Sequence, residues 1–428
     1  MYLDLKRSDL ALNGGQPVRT APWLDNFTTG DEEKDAVIRV LDSGYLSKFE
    51  GSHTPDPPFS FYGGPEVQGL EREWSEYYGC KHSISVNSAT SGLYAAIGAI
   101  GVGYGDEVIV SPYTMTACAM APLLFGAIPV FSDVEKETGC MDVKSIERAL
   151  SNRTKAILVV HQFGIPADMD KIMGLAKQHD LKVIEDCAQA HGAKYNNKYV
   201  GTFGAIGVFS LNVNKSIQTG EGGICITDDE ELAYRLALIR NHGEAVVGPA
   251  KYENVVNIFG FNFRLTELQA AIAREQLKKI NKLNDHRLDL VEAFSRGLDN
   301  HPFLHPLSGR PGCYSTYYVY PLRYESGIAR VEREEFVAAL NAEGAQFYQG
   351  YVEPLYLQPL YQQQSLFKHS YPFSAPENRG HTARYEKGTC SVAELLHQKT
   401  MIINEHIRFP HKKRDIEQLI QIVIKVTG

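Results

Sequence analysis

The 428-residue chain has no apolar run near the roughly 18 residues that a membrane span needs. Its first residues, Met1 to Arg7, lack the apolar core of a signal peptide. Its seven cysteines are odd in number and scattered, with no Cys-x-x-Cys pair, so a disulfide framework is not expected and reduced thiols are. Basic residues are not in excess. The formal charge of −8 and a pI near 6.0 argue against a nucleic-acid face. The 14 histidines show no His-Glu-x-x-His or similar spacing, so no metal is expected. There is no low-complexity tract and no internal repeat. The run Gly101-Val102-Gly103-Tyr104-Gly105 precedes a strand instead of following one, which removes it as a dinucleotide loop. These absences imply a cytoplasmic protein that binds neither nucleic acid nor membrane.

What is present is an ordinary globular composition, 43% hydrophobic and 22% charged, long enough for more than one domain. From Ser83 onward, short apolar runs alternate with helical periodicity: strands at 83–86, 107–110, 129–131, 156–160 and 181–184, with helices at 93–100, 115–125, 143–150 and 169–179 between them. This pattern predicts an α/β fold with right-handed crossovers and a mostly parallel sheet. A long helical pattern over 265–298 leaves it, and a Pro/Gly-rich break follows at 301–312. The expected division is a large α/β domain over 1–270 with an N-terminal arm over 1–30, a connecting helix over 271–300, and a smaller α+β domain over 301–428. The basic run 408–414 reads as solvated surface.

Three features carry chemistry. Asn87-Ser88-Ala89-Thr90-Ser91-Gly92 is a turn of small residues between a strand and a helix, where backbone N–H groups and a helix start suit an anion. Asp186 closes a buried strand, where open α/β sheets bind ligands, although an aspartate there also suits a helix cap. Lys215 follows Ser210 in a loop between two apolar strands and before Gly222-Gly223. It reads either as a plain hairpin lysine or as a desolvated, nucleophilic amine. In that order, the three are what a pyridoxal phosphate site requires.

The chain resembles the DegT-type sugar aminotransferases, which are fold-type-I pyridoxal phosphate enzymes. The likeness runs through Gly64-Pro65-Glu66-Val67, 87–93, Gly105-Asp106-Glu107-Val108, His161-Gln162-Phe163-Gly164, 185–192, 209–223, 260–267 and 390–394. It implies that Lys215 binds the cofactor covalently, that Asp186 pairs with the pyridine nitrogen, and that Gln189 lies near the phenolic oxygen. Thr90, Ser91 and Ser210 are implied for the phosphate. It also implies a homodimer with shared sites, in which Asn262 or Arg264 reaches the partner's cofactor. Met115 stands where relatives often stack an aromatic on the ring, and Ala89 where many have glycine. The segment 51–62 looks like an insertion. His161 and His191 are expected to be packed near the cofactor, not to bind metal.

The implied reaction moves an amino group from glutamate or glutamine, through pyridoxamine phosphate, to a keto sugar, first of all a nucleotide-linked 3- or 4-keto hexose. Aromatic and Pro/Gln-rich loops at 51–65 and 348–380 suit sugar rings, and Arg264 could take the donor carboxylate. A cyclitol ketone of the inosose type, or a keto sugar without a nucleotide, is the alternative. A sugar dehydratase of this fold, which usually carries histidine at the lysine position, and a non-catalytic regulatory homologue are the remaining ones.

Overall fold

A computed structural model describes residues 3–52 and 58–428, so part of the 51–62 segment lies outside the described residues. Seven strands form the main sheet: β1 (His82–Val86), β2 (Glu107–Val110), β3 (Ile128–Phe131), β4 (Thr154–Val160), β5 (Lys182–Asp186), β6 (Ile206–Ser210) and β7 (Gly223–Thr227). Their order is β1-β7-β6-β5-β4-β2-β3. The pairs β2/β3, β2/β4, β4/β5 and β5/β6 are parallel. β7 is antiparallel to both its neighbours, β6 and β1. The strands are buried almost throughout and read as continuous apolar runs, as helices on both faces of a parallel sheet demand.

The expected elements appear with small shifts at their ends. The helix predicted from residue 93 starts earlier, at Ala89, because Ser88 caps it by accepting from the Ser91 N–H. The helix Glu230–Arg240 was not expected, nor were the short ones at Gly243–Val246, Ser326–Ala329 and Pro359–Gln363. Nearly all of Glu230–Arg240 is buried, including Arg235 and Arg240, so no apolar stripe marks it in the sequence. Arg240 is held by Glu71 at 2.6 Å and by the Ser85 carbonyl.

The 31-residue helix Glu267–Gly297 starts with a Thr266/Gln269 capping box and links two hydrophobic cores. Its first half packs in the core of the main sheet through Ala270, Leu277 and Ile280. Its second half enters another core through Leu290, Val291 and Phe294. That second core lies against a four-stranded antiparallel sheet of β8 (Leu304–Pro306), β9 (Tyr320–Tyr324), β10 (Phe347–Gln349) and β11 (Met401–Asn404), in the order β8-β9-β11-β10. Leu3, Leu10 and Trp23 of the N-terminal arm belong to it. Leu355, Tyr356, Tyr361, Phe373 and Tyr385 return instead to the first core and cover the main sheet. The basic run 408–414 is not uniformly solvated: Arg408 and His411 are buried, because the turn after β11 folds them under the arm, where the Leu24 N–H donates to His411 Nε2.

β7 begins hard against the helix start. A Cβ on Gly223 would stand 2.7 Å from the Ala89 nitrogen, so only glycine allows this approach. Gly223→Val should therefore destabilise the main-sheet core by about 1–3 kcal/mol, as overpacking does. The measurement is the urea midpoint, and an unchanged midpoint would show that the contact relaxes freely.

Candidate functional site

The carboxyl edge of β5 and β6, the start of the Ala89–Ala99 helix and the loop between β6 and β7 enclose a cavity of about 380 Å³. It is lined by Thr90, Met115, Asp186, Gln189, Ser210 and Lys215, among others. The sequence-expected residues of three separate segments thus meet in one place.

At the helix start, the amides of Ala89 and Thr90 donate to no group among the described residues, as expected of a first turn. Thr90 is exposed to the cavity. Ser91 is turned away. Its hydroxyl donates to Asn87 Oδ1 at 2.6 Å and lies 2.9 Å from Ser88 Oγ, so it secures the cap and does not line the cavity. Ala89 is not among the residues of positive φ, so it fills the usual glycine position without strain.

Asp186 is 5% exposed. Its Oδ1 accepts from the Ala188 N–H at 2.9 Å, and its Oδ2 accepts from Cys118 Sγ at 3.1 Å. Burial, with Asp186 beside it, pushes the Cys118 thiol well above its usual range, so it stays a donor. Gln189 accepts the Phe163 N–H through Oε1 at 2.6 Å and donates to the Tyr351 hydroxyl at 2.9 Å. Met115 is exposed and forms part of the wall.

Lys215 Nζ lies 4.2 Å from the centroid of the Tyr318 ring. Among the described residues it has no ion pair and no hydrogen-bond partner. Burial pulls its pKa down from 10.5 to about 8, against the opposing pull of Asp186 and Glu405. The loop backbone is pinned from the arm: Asn26 Nδ2 donates to the Lys215 carbonyl at 2.8 Å. His191, fully buried beside Trp74 and Phe209, is driven down to about 3 by burial and by Lys215 and is neutral.

Asn262 and Arg264 are not in the cavity of their own chain. Arg264 Nε donates to Asn262 Oδ1 at 2.8 Å, and both lie on the outside. Sequence reasoning missed Tyr318 and Tyr351. Both precede or follow strands of the smaller sheet, and only an aromatic-rich pattern marked those stretches.

His161, Glu185 and Cys187 come close enough to suggest a metal. Two of the three are already engaged, and burial pushes the third, the Cys187 thiol, well above its usual range. Glu185 accepts from the N–H groups of Gly201, Phe203 and Gly204, each at 2.7 Å, and from His161 Nε2 at 3.0 Å. His161 Nδ1 accepts from the Ala167 N–H, which assigns the proton to Nε2. This is a scaffold that fastens the 201–204 turn beneath β5.

An anion-ready helix start, a buried carboxylate and an unpaired amine in one cavity fit the three ends of pyridoxal phosphate. The DegT/DnrJ/EryC1/StrS aminotransferase family model matches residues 59–377. The chain belongs to this family. Its aminotransferases depend on pyridoxal phosphate. The chain is 35% identical over 346 residues to the dTDP-3-amino-3,4,6-trideoxy-alpha-D-glucose transaminase of Streptomyces venezuelae, covering 79% of this chain and 84% of that one. It is 31% identical over 429 residues to a putative L-glutamine:3-amino-2,3-dideoxy-scyllo-inosose aminotransferase of Streptoalloteichus tenebrarius, covering 98% of both. The structure of an aminotransferase from Psychrobacter cryohalolentis superposes with a TM-score of 0.78 at 29% identity, over 95% of this chain and 98% of that one. The fold is that of the fold-type-I pyridoxal phosphate transferases.

The depressed Lys215 pKa sets a testable window. Below pH 8 the folded protein carries a buried charge. Between about 8 and 10.5 the folded state has released a proton that the unfolded state keeps, so this residue's contribution to stability rises with pH there. In protein stripped of small molecules, an amine-selective acylating reagent should modify the Lys215 peptide with a midpoint near pH 8, read by mass spectrometry. A midpoint near 10.5 would show a solvated amine.

Proposed function

We propose that the protein transfers an amino group from glutamate or glutamine to the ketone of a polyhydroxylated six-membered ring. The observation that carries this is the unpaired Lys215 amine facing the same cavity as Asp186 and the open helix start. Thr90, Ser210 and the free amides of Ala89 and Thr90 would hold the cofactor phosphate, with Ser91 fixing the cap behind them. Asp186 would keep a proton on the pyridine nitrogen, and Gln189 would approach the ring oxygen. Pyridoxal phosphate, when bound, supplies an aldehyde that takes up the amino group and a ring that withdraws electrons. Lys215 Nζ, whose unprotonated fraction grows as the pH nears 8, takes and returns the proton that shifts during transfer. Lysine at this position speaks against a dehydratase, and the full set of polar side chains against a regulatory homologue.

The first reading of the acceptor is a nucleotide-linked 3- or 4-keto hexose, supported by the dTDP-sugar relative. The second is a cyclitol ketone. What favours it is coverage: the scyllo-inosose relative aligns over 98% of both chains, including the 348–400 segment that lies over the main sheet. We place the enzyme in the cytoplasm as a homodimer, with Asn262 and Arg264 directed to the partner's cavity. The division into large domain, connecting helix and small domain near residues 270 and 300 belongs to the same reading.

Protein loaded with pyridoxamine phosphate should regain its long-wavelength cofactor absorbance with a nucleotide-linked keto hexose or with an inosose, and the faster of the two names the acceptor. Turnover confined to 2-oxo acids such as oxaloacetate would sink the ring-ketone assignment. Lys215→Ala should retain cofactor and lose turnover. Mixed with subunits altered at both Asn262 and Arg264, it should regain part of the activity if those side chains act across the interface, and no recovery would count against that arrangement.

A further inference from the structure

Asp186 and its neighbour Glu185 are both buried carboxylates at the end of β5, and they are held in opposite ways. Glu185 accepts from three backbone N–H groups and from His161 Nε2, which leaves it nothing to offer. Asp186 accepts from one backbone N–H, that of Ala188, and from one thiol, that of Cys118, at 3.1 Å. Among the described residues it has no ion pair. An ionised carboxylate can accept about four hydrogen bonds, so about half of its capacity is unspent. Asp186 lines the cavity, and that capacity is open to a ligand.

Cys118 lies on the helix Ala117–Leu124, which follows β2. Thr114, Met115, Thr116 and Ala117 form part of the cavity wall, and Cys118 stands one residue behind it, fully buried. Its thiol is the one side chain that donates to the carboxylate among the described residues. The choice of donor matters. A guanidinium or ammonium here would neutralise Asp186 and remove its pull on a bound cation. A hydroxyl would give a full-strength hydrogen bond and draw off part of the charge. A thiol is a weak donor. It fixes the rotation of the carboxylate and leaves most of the charge on Oδ2. Burial, and then the charge of Asp186, keep the thiol protonated, so it remains a donor.

Resting on the pyridoxal phosphate reading of this cavity, we infer that Cys118 is a positioning residue that sets how firmly Asp186 holds the proton on the pyridine nitrogen. It acts through Asp186, since it does not itself line the cavity. A buried carboxylate left short of donors favours a protonated aromatic nitrogen beside it, and the electron-withdrawing ring depends on that proton. The same carboxylate saturated with donors, as Glu185 is, would give the nitrogen little reason to stay charged.

Infrared spectroscopy reads the thiol directly. The difference between native protein and Cys118→Ala, both freed of small molecules, isolates the Cys118 S–H stretch from those of the other cysteines. It should lie below the frequency of an unbonded thiol, and it should rise when pyridoxal phosphate is loaded, as the carboxylate shares its charge with the ring. In protein loaded with cofactor isotopically labelled at the ring nitrogen, the nitrogen resonance reports the proton. Cys118→Ser, with a stronger donor, should move that resonance toward the value of unprotonated pyridine. Cys118→Ala, with no donor, should not move it that way, and should weaken cofactor binding by about 2- to 10-fold, the scale of one hydrogen bond. A packing defect would not separate the two variants. The serine variant exchanges a single atom, so it keeps the test if the alanine variant does not fold. An S–H stretch at the unbonded frequency, or a nitrogen resonance that serine leaves unmoved, overturns the proposal. Native protein that takes up no pyridoxal phosphate would sink the cofactor reading, and the proposal with it. Uptake with a ring nitrogen indifferent to the side chain at this position overturns the proposal alone.

Discussion

The site rests on one unfavourable arrangement, an amine held out of water with no anion to meet it. Water would keep Lys215 charged over the whole neutral range. Desolvation lowers its pKa to about 8. An adjacent carboxylate at contact distance would undo this by stabilising the charge. Asp186 acts on it only through space, because its oxygens are committed to the Ala188 N–H and the Cys118 thiol. The Tyr318 ring offers the amine a π face in place of an anion. The amine is thereby kept reactive without being driven out of the cavity.

Sheet topology is what puts the amine there. β5 and β6 run parallel and end at the same edge, where Asp186 and Ser210 emerge. A further right-handed crossover after β6 would carry the chain to the opposite edge through a helix. β7 instead runs back antiparallel, so both ends of the lysine loop stay at the site edge. β1 then lies on the far side of β7, and the helix that follows it starts over the same edge. The single reversed strand thus brings the phosphate-ready helix start and the lysine loop together, and the glycine at its head sets how closely they approach.

Much of this could be read from the chain because it is local. The 87–92 turn, Asp186 at a strand end and Lys215 between two apolar runs each lie within a few residues of the strand that places them. Ser91 was expected in the turn but lies in the first turn of the helix, and which way its hydroxyl points depends on Asn87 and Ser88 and leaves no periodic trace. Tyr318 and Tyr351 come from the smaller sheet and meet the cavity only through long-range packing. The helix Glu230–Arg240 escaped because a helix buried on all sides has no polar face to give a period. Arg408 was hidden by its neighbours: in a run of basic residues it looks solvated, and only the fold of the arm over residues 408–411 buries it.

The buried charges of this protein fall into two kinds, and the difference is in their partners. Glu185 accepts from four donors and has nothing left to offer a ligand. Arg240 meets Glu71 and a carbonyl and fastens a helix to the main sheet. Such groups offset their desolvation within the fold, so their removal would read as lost stability. Lys215 leaves its amine unanswered beside the Tyr318 ring. Its desolvation is not offset within the fold, which is what leaves the amine available to a ligand. Where burial and unanswered charge coincide, the structure has been shaped for a ligand and not for its own stability.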